Sequence, residues 1–351
     1  MKKGKRKLKS STILVILMVL LLLVSTFAVY SFSHAVRAVN LGETRGAKKY
    51  EYHFVMIHSG SNDNFWTSLY EGAKAAGEKV NAYVENFSES VPGDYSEEDL
   101  MDMAIAAKAD GIIVEGSKSD AMGELINRAE DKGITVVTVL QDVADSKRRT
   151  FVGINTYSMG EIYGNQIVEA LEKKQETADE DVPYKVAVLV DTSKDTAGSS
   201  LVLSGIQDTI NNSGVNAQVN SVNIEKNENF ESEEMIRNLI LDFDNRPNVI
   251  VSLSSVDTIN CNQALIDYNQ VGKITILGYY SDQEVLNGIE KGVIQSSVDI
   301  NANKIGSACV DNLYKYLLKG YVNEYVNVDM NLITKENVEQ YLKEAQSNKG
   351  E

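Results

Sequence analysis

Tyr52-His-Phe-Val-Met-Ile-His58 is a run of apolar and aromatic residues that stops at the small, polar stretch Ser59-Gly-Ser-Asn-Asp-Asn64. A helical pattern begins near Phe65 and places Leu69 and Ala73 on one side of the helix. A strand that passes through a short loop into a helix is the first unit of an open α/β sheet. In such sheets ligands bind at the carboxyl ends of the strands.

Two aromatic residues follow the polar loop, and one of them, Trp66, is the only tryptophan in the chain. Phe65 and Trp66 stand close to the carboxylate of Asp63. Aromatic rings beside polar groups at a strand end are typical of a ligand platform, because the rings cover a ligand while the polar groups fix its orientation. The same rings also suit a cap over the hydrophobic core under the first helix, and this stretch alone supports both interpretations.

Strand and helix patterns alternate through the rest of the chain. The strand patterns cover residues 52–58, 82–84, 111–114, 134–140, 151–154, 186–190, 217–224, 249–253, 274–280, 293–300 and 325–333. Strands separated by helices predict parallel sheets that are covered on both faces. Because so many strands are too many for one comfortable open sheet, we predict two sheets, one on either side of the connection at 141–150.

The first 50 residues differ from the rest of the chain. Six basic residues within positions 2–9 precede an apolar run that starts at Ile13. We interpret 1–12 as a cytoplasmic basic segment, 13–32 as a transmembrane anchor or signal, and 33–50 as a stalk. The length of the run favours an uncleaved, single-pass anchor in the cell membrane. Small residues near positions 33–38 suit a cleaved signal instead, and the protein would then be secreted. Both alternatives place the body outside the cytoplasm.

Charge and cysteine content exclude several classes of function. The first 40 residues hold seven basic residues and no acidic ones, whereas the remainder holds 27 basic and 50 acidic residues. An acidic body is repelled by phosphate backbones, so we predict no nucleic-acid partner. The two cysteines, Cys261 and Cys309, lie in separate predicted helices without metal-type spacing, which favours free buried thiols.

The sequence lacks the usual signatures of catalysis. The three histidines, His34, His53 and His58, have no metal-type spacing. The chain has neither a Gly-x-Ser-x-Gly nucleophile motif nor a glycine-rich loop that ends in Lys-Ser or Lys-Thr. We therefore predict no enzymatic activity, no cofactor and no metal site.

Several strings occur in an order and spacing that are informative together. They are Val55-Met-Ile-His-Ser-Gly60, Asn64-Phe-Trp-Thr-Ser-Leu-Tyr-Glu-Gly72, Ala109-Asp-Gly-Ile-Ile-Val114, Gly133-Ile-Thr-Val-Val-Thr138, Gly153-Ile-Asn-Thr-Tyr-Ser-Met-Gly160, Ile274-Thr-Ile-Leu-Gly278 and Gly292-Val-Ile-Gln-Ser-Ser-Val298. In this order they resemble the type 1 periplasmic binding proteins, in particular the sugar-binding group that includes the ribose-binding proteins. The resemblance covers about residues 51–335.

The resemblance implies an α/β fold with two Rossmann-like parallel-sheet lobes joined by a three-segment hinge. Lobe one is then expected to consist of 51–141 and 301–328, and lobe two of 142–300 and 329–345. The ligand is expected in the cleft between the lobes, which close around it like a hinge.

The positions that match the family's ligand site form a larger set. They are Asp63, Phe65, Trp66, Ser117, Lys118, Gln141, Asn155, Ser254, Tyr280 and Asp299. Phe65 and Trp66 match the family's stacking aromatics. Lys118 and Tyr280 instead stand where an aspartate is usual, and Asp299 lies where a glutamine is usual. These departures disfavour plain ribose and favour a larger, modified or anionic ligand, or a degenerate domain that senses through protein contacts.

The resemblance supports two functions. The first is an extracytoplasmic solute-binding protein that captures a sugar or sugar-like molecule for the membrane permease of an ABC-type importer. The second is a ligand-sensing subunit that presents its cleft to a membrane sensor kinase, and an anchor without a lipid-modified cysteine suits this alternative. An acidic body behind a membrane segment disfavours the related transcription factors, which carry a DNA-binding headpiece in that place.

Overall fold

A computed structural model describes residues 49–59, 64–117, 119–173, 182–191, 196–224 and 229–347. The predicted basic segment at 1–12, the predicted anchor or signal at 13–32 and nearly all of the predicted stalk at 33–50 lie outside these residues. Among the described helices, none combines the length and the apolar character needed to cross a membrane.

Strands and helices alternate along the described chain. In chain order the elements are β1 (Tyr52–Ile57), α1 (Asn64–Lys79), β2 (Ala82–Asn86), α2 (Phe87–Ser90), α3 (Glu97–Ala107), β3 (Gly111–Glu115), α4 (Asp120–Asp131), β4 (Thr135–Val139), β5 (Thr150–Gly153), α5 (Thr156–Glu172), β6 (Tyr184–Val190), α6 (Thr196–Ser213), β7 (Ala217–Asn223), α7 (Asn229–Leu241), β8 (Val249–Ser252), α8 (Ser255–Asp267), β9 (Thr275–Tyr279), α9 (Gln283–Glu290), β10 (Ile294–Ile300), α10 (Ala302–Lys319), β11 (Tyr325–Asn327), β12 (Met330–Thr334) and α11 (Val338–Ser347).

The strands form two six-stranded sheets with the same layout. Sheet one has the order β11-β5-β4-β3-β1-β2, and sheet two has the order β12-β10-β9-β8-β6-β7. All pairs are parallel except β10 with β12, which is antiparallel. This confirms the predicted fold class of two parallel-sheet α/β lobes.

The central strands of each sheet are buried on both faces, as their apolar residues require. In β1, Phe54 and Met56 pack in the cluster that includes residues of α1 and α10. The alternate residues Val55 and Ile57 point to the opposite face and pack with residues of α3 and α4. The run of four apolar residues at 54–57 therefore predicts correctly a sheet between two helical layers.

The chain passes between the two sheets at three places. The first crossing runs through residues 154–155, between β5 of sheet one and α5. Helix α5 packs against α6 on sheet two. The chain returns through Asn301, between β10 and α10, and crosses again through residues 328–329, between β11 and β12. The predicted single strand at 325–333 is thus two strands, one in each sheet.

The strand at 151–154 is the main difference from the predicted lobes. We predicted that lobe two starts at residue 142, but β5 pairs with β4 and β11 in sheet one. The physical reason is that the run before β5 is fastened to lobe one. The Arg149 amide donates to the Val136 carbonyl at 2.9 Å, and the Arg148 guanidinium binds the Asp142 carboxylate. The connection at 141–150 therefore does not cross between the lobes.

Helices α1 and α10 approach each other so closely that both carry a glycine at the crossing. A Cβ atom at Gly306 would lie 1.9 Å from the Leu69 carbonyl oxygen, and one at Gly72 would lie 2.1 Å from the Asn303 carbonyl oxygen. Both obstacles are helix backbone, which cannot rotate away. The two glycines thus set the distance between the first helix after β1 and the helix that follows the second crossing.

We expect Gly306→Ala to destabilise the protein by about 1–3 kcal/mol, because the methyl group forces α1 and α10 apart. Urea unfolding followed by circular dichroism measures the loss. Gly123→Ala is the matched control: Gly123 also lies inside a helix, but its added Cβ meets only Val143 Cγ1 at 3.6 Å. In that control the free energy of unfolding is expected to rise by about 0.5–1 kcal/mol, because alanine has a higher helix propensity than glycine. Equal effects of the two substitutions would contradict the packing argument.

Candidate functional site

The carboxyl ends of the two sheets face each other, and the loops after β1 and β9 touch. The Asn64 side-chain amide donates a hydrogen bond to Asp282 Oδ1 at 2.8 Å. Beside this contact, the rings of Phe65 and Tyr280 meet edge to face with their centroids 5.3 Å apart. Asp282 also accepts a hydrogen bond from the Ser255 hydroxyl at the start of α8. The predicted interlobe cleft therefore has a polar and an aromatic contact across it.

A buried carboxylate joins the ends of three neighbouring strands in sheet one. Glu115 is only 6% exposed, and its Oε2 accepts hydrogen bonds from the Ser59 amide at 2.9 Å and the Ser59 hydroxyl at 2.7 Å. Its Oε1 accepts from the Gln141 side-chain amide at 3.1 Å. These contacts bring together the residues that follow β1, end β3 and follow β4. We call Ser59, Glu115, Ser117 and Gln141 the polar floor.

Ser117 completes the polar floor and differs from its neighbours in hydrogen bonding. Its Oγ is buried and has no hydrogen-bond partner among the described residues. The loop around it is held against β4, because the Gly116 amide donates to the Gln141 carbonyl at 3.0 Å and a Cβ at Gly116 would lie 2.3 Å from that oxygen. A buried hydroxyl without a partner is costly, so Ser117 is suited to hydrogen-bond a ligand.

The structure places the two predicted stacking aromatics differently. Trp66 is 5% exposed, and the His58 ring covers one face of its indole at a centroid distance of 4.4 Å and an interplanar angle of 9°. His58 is held in turn by Asn86, whose Nδ2 lies 3.3 Å from His58 Nε2. Phe65 lies between Trp66 and Tyr280 with edge-to-face contacts to both. Phe65 is therefore the aromatic residue that bridges the two lobes, whereas Trp66 belongs mainly to the core of lobe one.

Two residues at matching strand ends have a left-handed backbone. Leu140 follows β4 with φ = 61°, and Tyr280 follows β9 with φ = 68°. Each donates its amide to the next strand, Leu140 to Val152 at 3.0 Å and Tyr280 to Val298 at 2.8 Å. Non-glycine residues at positive φ are strained and concentrate at functional sites. After the turn at Leu140, the side chain of Gln141 reaches Glu115 at the end of β3.

The remaining predicted site residues have different positions. Asn155 and Ser254 are the N-caps of α5 and α8: Asn155 Oδ1 accepts from the Ser158 amide at 3.1 Å, and Ser254 Oγ accepts from the Asp257 amide at 3.4 Å. Asp299 lies in β10 opposite Asn331 of β12. Asp63 and Lys118 lie outside the described residues.

Sequence reasoning missed Glu115, Ser59 and Asp282. For Glu115 a signal existed, because it is the last residue of a buried strand at the edge where ligands bind. For Asp282 none existed, since its partner Asn64 is 218 positions away in the chain. The chemistry of the assembled site is that of hydrogen bonding and aromatic contact, with one buried carboxylate as its centre.

The family of the chain follows from a comparison with family models. The model described as periplasmic binding protein domain matches residues 54–320. The chain belongs to this family. No curated protein matches it. Because periplasmic binding domains are solute receptors and not enzymes, the prediction that this protein is not an enzyme is confirmed. Membership also implies that the matched body is extracytoplasmic.

Solved structures of periplasmic binding proteins share the fold. GanP, a glucose-galactose binding protein from Geobacillus stearothermophilus, is 23% identical, with a TM-score of 0.67 over 82% of this chain and 98% of its own. An ABC transporter solute-binding protein from Burkholderia graminis in complex with D-arabinose is 18% identical, with a TM-score of 0.71 over 83% of this chain and 98% of its own. XylFII in a complex with LytSN is 23% identical, with a TM-score of 0.65 over 81% of this chain and 98% of its own. At these identities the similarity establishes the two-lobed fold.

Proposed function

We propose that this periplasmic binding protein captures a sugar or sugar-like molecule between its lobes and delivers it to the permease of an ABC-type importer. Neighbours of the same fold include a glucose-galactose binding protein and an arabinose-bound solute-binding protein of an ABC transporter. The proposed mechanism is opening and closing of the lobes around the ligand, without a chemical step.

The polar floor is the observation that carries the proposal. A sugar hydroxyl both donates and accepts hydrogen bonds, so it requires a site that offers both. Ser117 Oγ supplies an unpartnered hydroxyl among the described residues, and Gln141, held by Glu115, has a side-chain carbonyl oxygen that is able to accept. Phe65 is 9% exposed and packs between Trp66 and Tyr280, so opening of the lobes would separate it from Tyr280 and expose its ring to the CH groups of a sugar. Because hydrogen bonds to charged groups are the strong ones, the Glu115 carboxylate fixes the geometry of the floor before the ligand arrives.

A monosaccharide screen tests the proposal. Glucose, galactose, arabinose, ribose and allose are titrated separately while the melting temperature and the fluorescence of Trp66 are recorded. We expect one or more sugars to raise the melting temperature, with about 2.7 kcal/mol of added stability at a sugar concentration 100 times the Kd. Trp66, the only tryptophan, packs against Phe65 and reports on the same binding event.

Sorbitol at equal concentration is the control for this screen, because excluded polyols stabilise folded proteins without binding to them. A shift that is no larger for any monosaccharide than for sorbitol would refute the proposal. A saturable shift for one sugar, accompanied by a change in Trp66 fluorescence, would identify the ligand.

A second function is favoured by one of the structural neighbours. XylFII has been solved in a complex with a second protein, LytSN. By analogy, the lobes of this protein would present a bound or empty cleft to a membrane sensor kinase, and residues 13–32 would anchor the protein beside that partner. Deleting the gene separates the two functions: loss of uptake of the labelled ligand indicates import, whereas normal uptake with loss of the transcriptional response to the ligand indicates sensing. Retention of the full-length protein in the membrane fraction tests the anchor.

A further inference from the structure

A second groove lies beside the cleft and spans both lobes. It has a volume of about 700 Å³ and runs from the first turns of α1, at Asn64 and Ser68, across the hinge residue Asn301 to Tyr341 and Glu344 of α11. The hydrogen bond between Asn64 and Asp282 forms part of its wall. The groove is therefore large enough for a small ligand and is separate from the polar floor, since none of the polar-floor residues lines it.

The lining of this groove is polar and acidic. Three carboxylates, those of Asp282, Asp299 and Glu344, are among the residues that line it, and none of the described lining residues is a lysine, an arginine or a histidine. Most other lining side chains carry a hydroxyl or an amide. Hydroxyl and amide groups suit a polyol, whereas carboxylates suit a positive charge.

Asp299 is the unusual member of the lining. It is 5% exposed, and its Oδ1 accepts no hydrogen bond from a described residue. Burial raises the pKa of Asp299, and the nearby Glu344 carboxylate raises it further, although the Ser281 hydroxyl and the Asn331 amide act in the opposite direction. A buried carboxylate oxygen without a donor is unfavourable, and a ligand that brings a cationic N–H donor into the groove would remove this cost.

An organic cation fits the groove better than a metal ion. Among the described residues, no three histidine, cysteine, aspartate or glutamate side chains are placed to hold a metal ion. A primary ammonium group instead needs only one or two carboxylates and donates its other N–H groups to neutral oxygens. Gln340 and Tyr341 lie next to Glu344 in the lining and offer such oxygens.

We propose that the groove between α1, the hinge at Asn301 and α11 is a second binding site, specific for a small hydroxylated primary amine of the amino-sugar class. The ammonium group binds between the carboxylates of Asp299 and Glu344. The hydroxyl groups face the amides and hydroxyls of the lining. This site is distinct from the cleft proposed for the sugar and does not depend on it.

Calorimetric titration of the full-length protein with glucosamine and with glucose at pH 7 tests the site, because the two compounds differ by the ammonium group. We expect glucosamine to bind to the wild-type protein, and Asp299→Asn and Glu344→Gln each to weaken that binding about ten- to hundredfold. Glu339→Gln is the matched control, because Glu339 lies on the same helix outside the groove lining, beside Lys343 at 3.8 Å. It is expected to leave glucosamine binding unchanged.

The variant Glu115→Gln separates the two sites, because Glu115 belongs to the polar floor. Glucosamine that binds in the groove keeps its affinity in this variant, and glucose affinity is unchanged in Glu344→Gln. The proposal is overturned if the wild-type protein does not bind glucosamine, or if Asp299→Asn and Glu344→Gln bind it as tightly as the wild type. Failure of the sugar site shows separately, as an absence of glucose and other monosaccharide binding.

Discussion

Asp142→Ala is expected to destabilise the protein by about 3–5 kcal/mol, because it leaves a buried guanidinium without its partner. The Arg148 side chain is 2% exposed, and its Nε and Nη2 donate to Asp142 Oδ1 and Oδ2, both at 2.6 Å. Asp142 also accepts from the Thr138 hydroxyl and the Val143 amide, each at 2.8 Å. The pair closes the turn between β4 and β5, so its loss loosens the segment that starts with Gln141.

Urea unfolding of Asp142→Ala measures this cost, and Asp102→Ala is the matched control. Asp102 also binds an arginine, Arg128, but both side chains of that pair are about half exposed, at 60% and 47%. Exposed pairs contribute about 0–1 kcal/mol, so the control is expected to change stability little. The double variant Asp142→Ala with Arg148→Met should recover much of the loss, because no unpaired charge remains. Equal losses in Asp142→Ala and Asp102→Ala would show that burial of Arg148 is unimportant.

Glu115→Gln is expected to weaken binding of the cognate sugar by about a hundredfold. The carboxylate accepts from both donors of Ser59 and from Gln141. A glutamine at position 115 replaces one accepting oxygen with an NH₂ group, so either a donor–donor contact forms or the Gln141 amide rotates and turns its carbonyl oxygen toward residue 115 and away from the ligand. Ser59 and Gln141 then lose their fixed orientation, and the ligand has to order the polar floor when it binds.

Titration of the cognate sugar into Glu115→Gln measures the effect, and unfolding without sugar measures any accompanying loss of stability. Glu85→Gln serves as the control, because Glu85 is another carboxylate near the carboxyl end of a strand in sheet one. It contacts His53 at 3.0 Å, and its side chain is 28% exposed. We expect normal sugar affinity in this control. Normal affinity in Glu115→Gln would show that the polar floor does not hold the ligand.

Hydrophobic periodicity predicted the strands well but not the sheet to which each belongs. The strand at 151–154 was found from its residues, and its place in sheet one was not. Its position depends on the Asp142–Arg148 pair and on pairing with β11, a strand more than 170 residues later in the chain. Local pattern carries no information about such distant partners, because strand residues of either sheet are apolar for the same reason.

The same limit applies to the site. Phe65 and Gln141 were predicted from the resemblance. Phe65 follows β1 and Gln141 follows β4, and the carboxyl ends of these two parallel strands lie at the same edge of sheet one. The role of Trp66 was less predictable: its neighbour in space, His58, is eight residues earlier and covers one face of its ring. Asp299 was expected at the sugar, but the structure places it in a groove with α11, because alternate residues of β10 point to opposite faces of the sheet.

The sequence by itself determined the alternating α/β architecture and the extracytoplasmic solute-receptor family, because periodicity and short motifs are local properties. It also predicted the end of β1 as a ligand region. Only the tertiary structure decided the sheet of β5, the Glu115 hydrogen bonds that join three strand ends, and the contacts of Asn64 and Phe65 with lobe two. These features depend on residues that are distant in the chain and meet through strand order and helix packing. The loop after β1 is thus predicted from sequence as a site, but its partners are set by the fold.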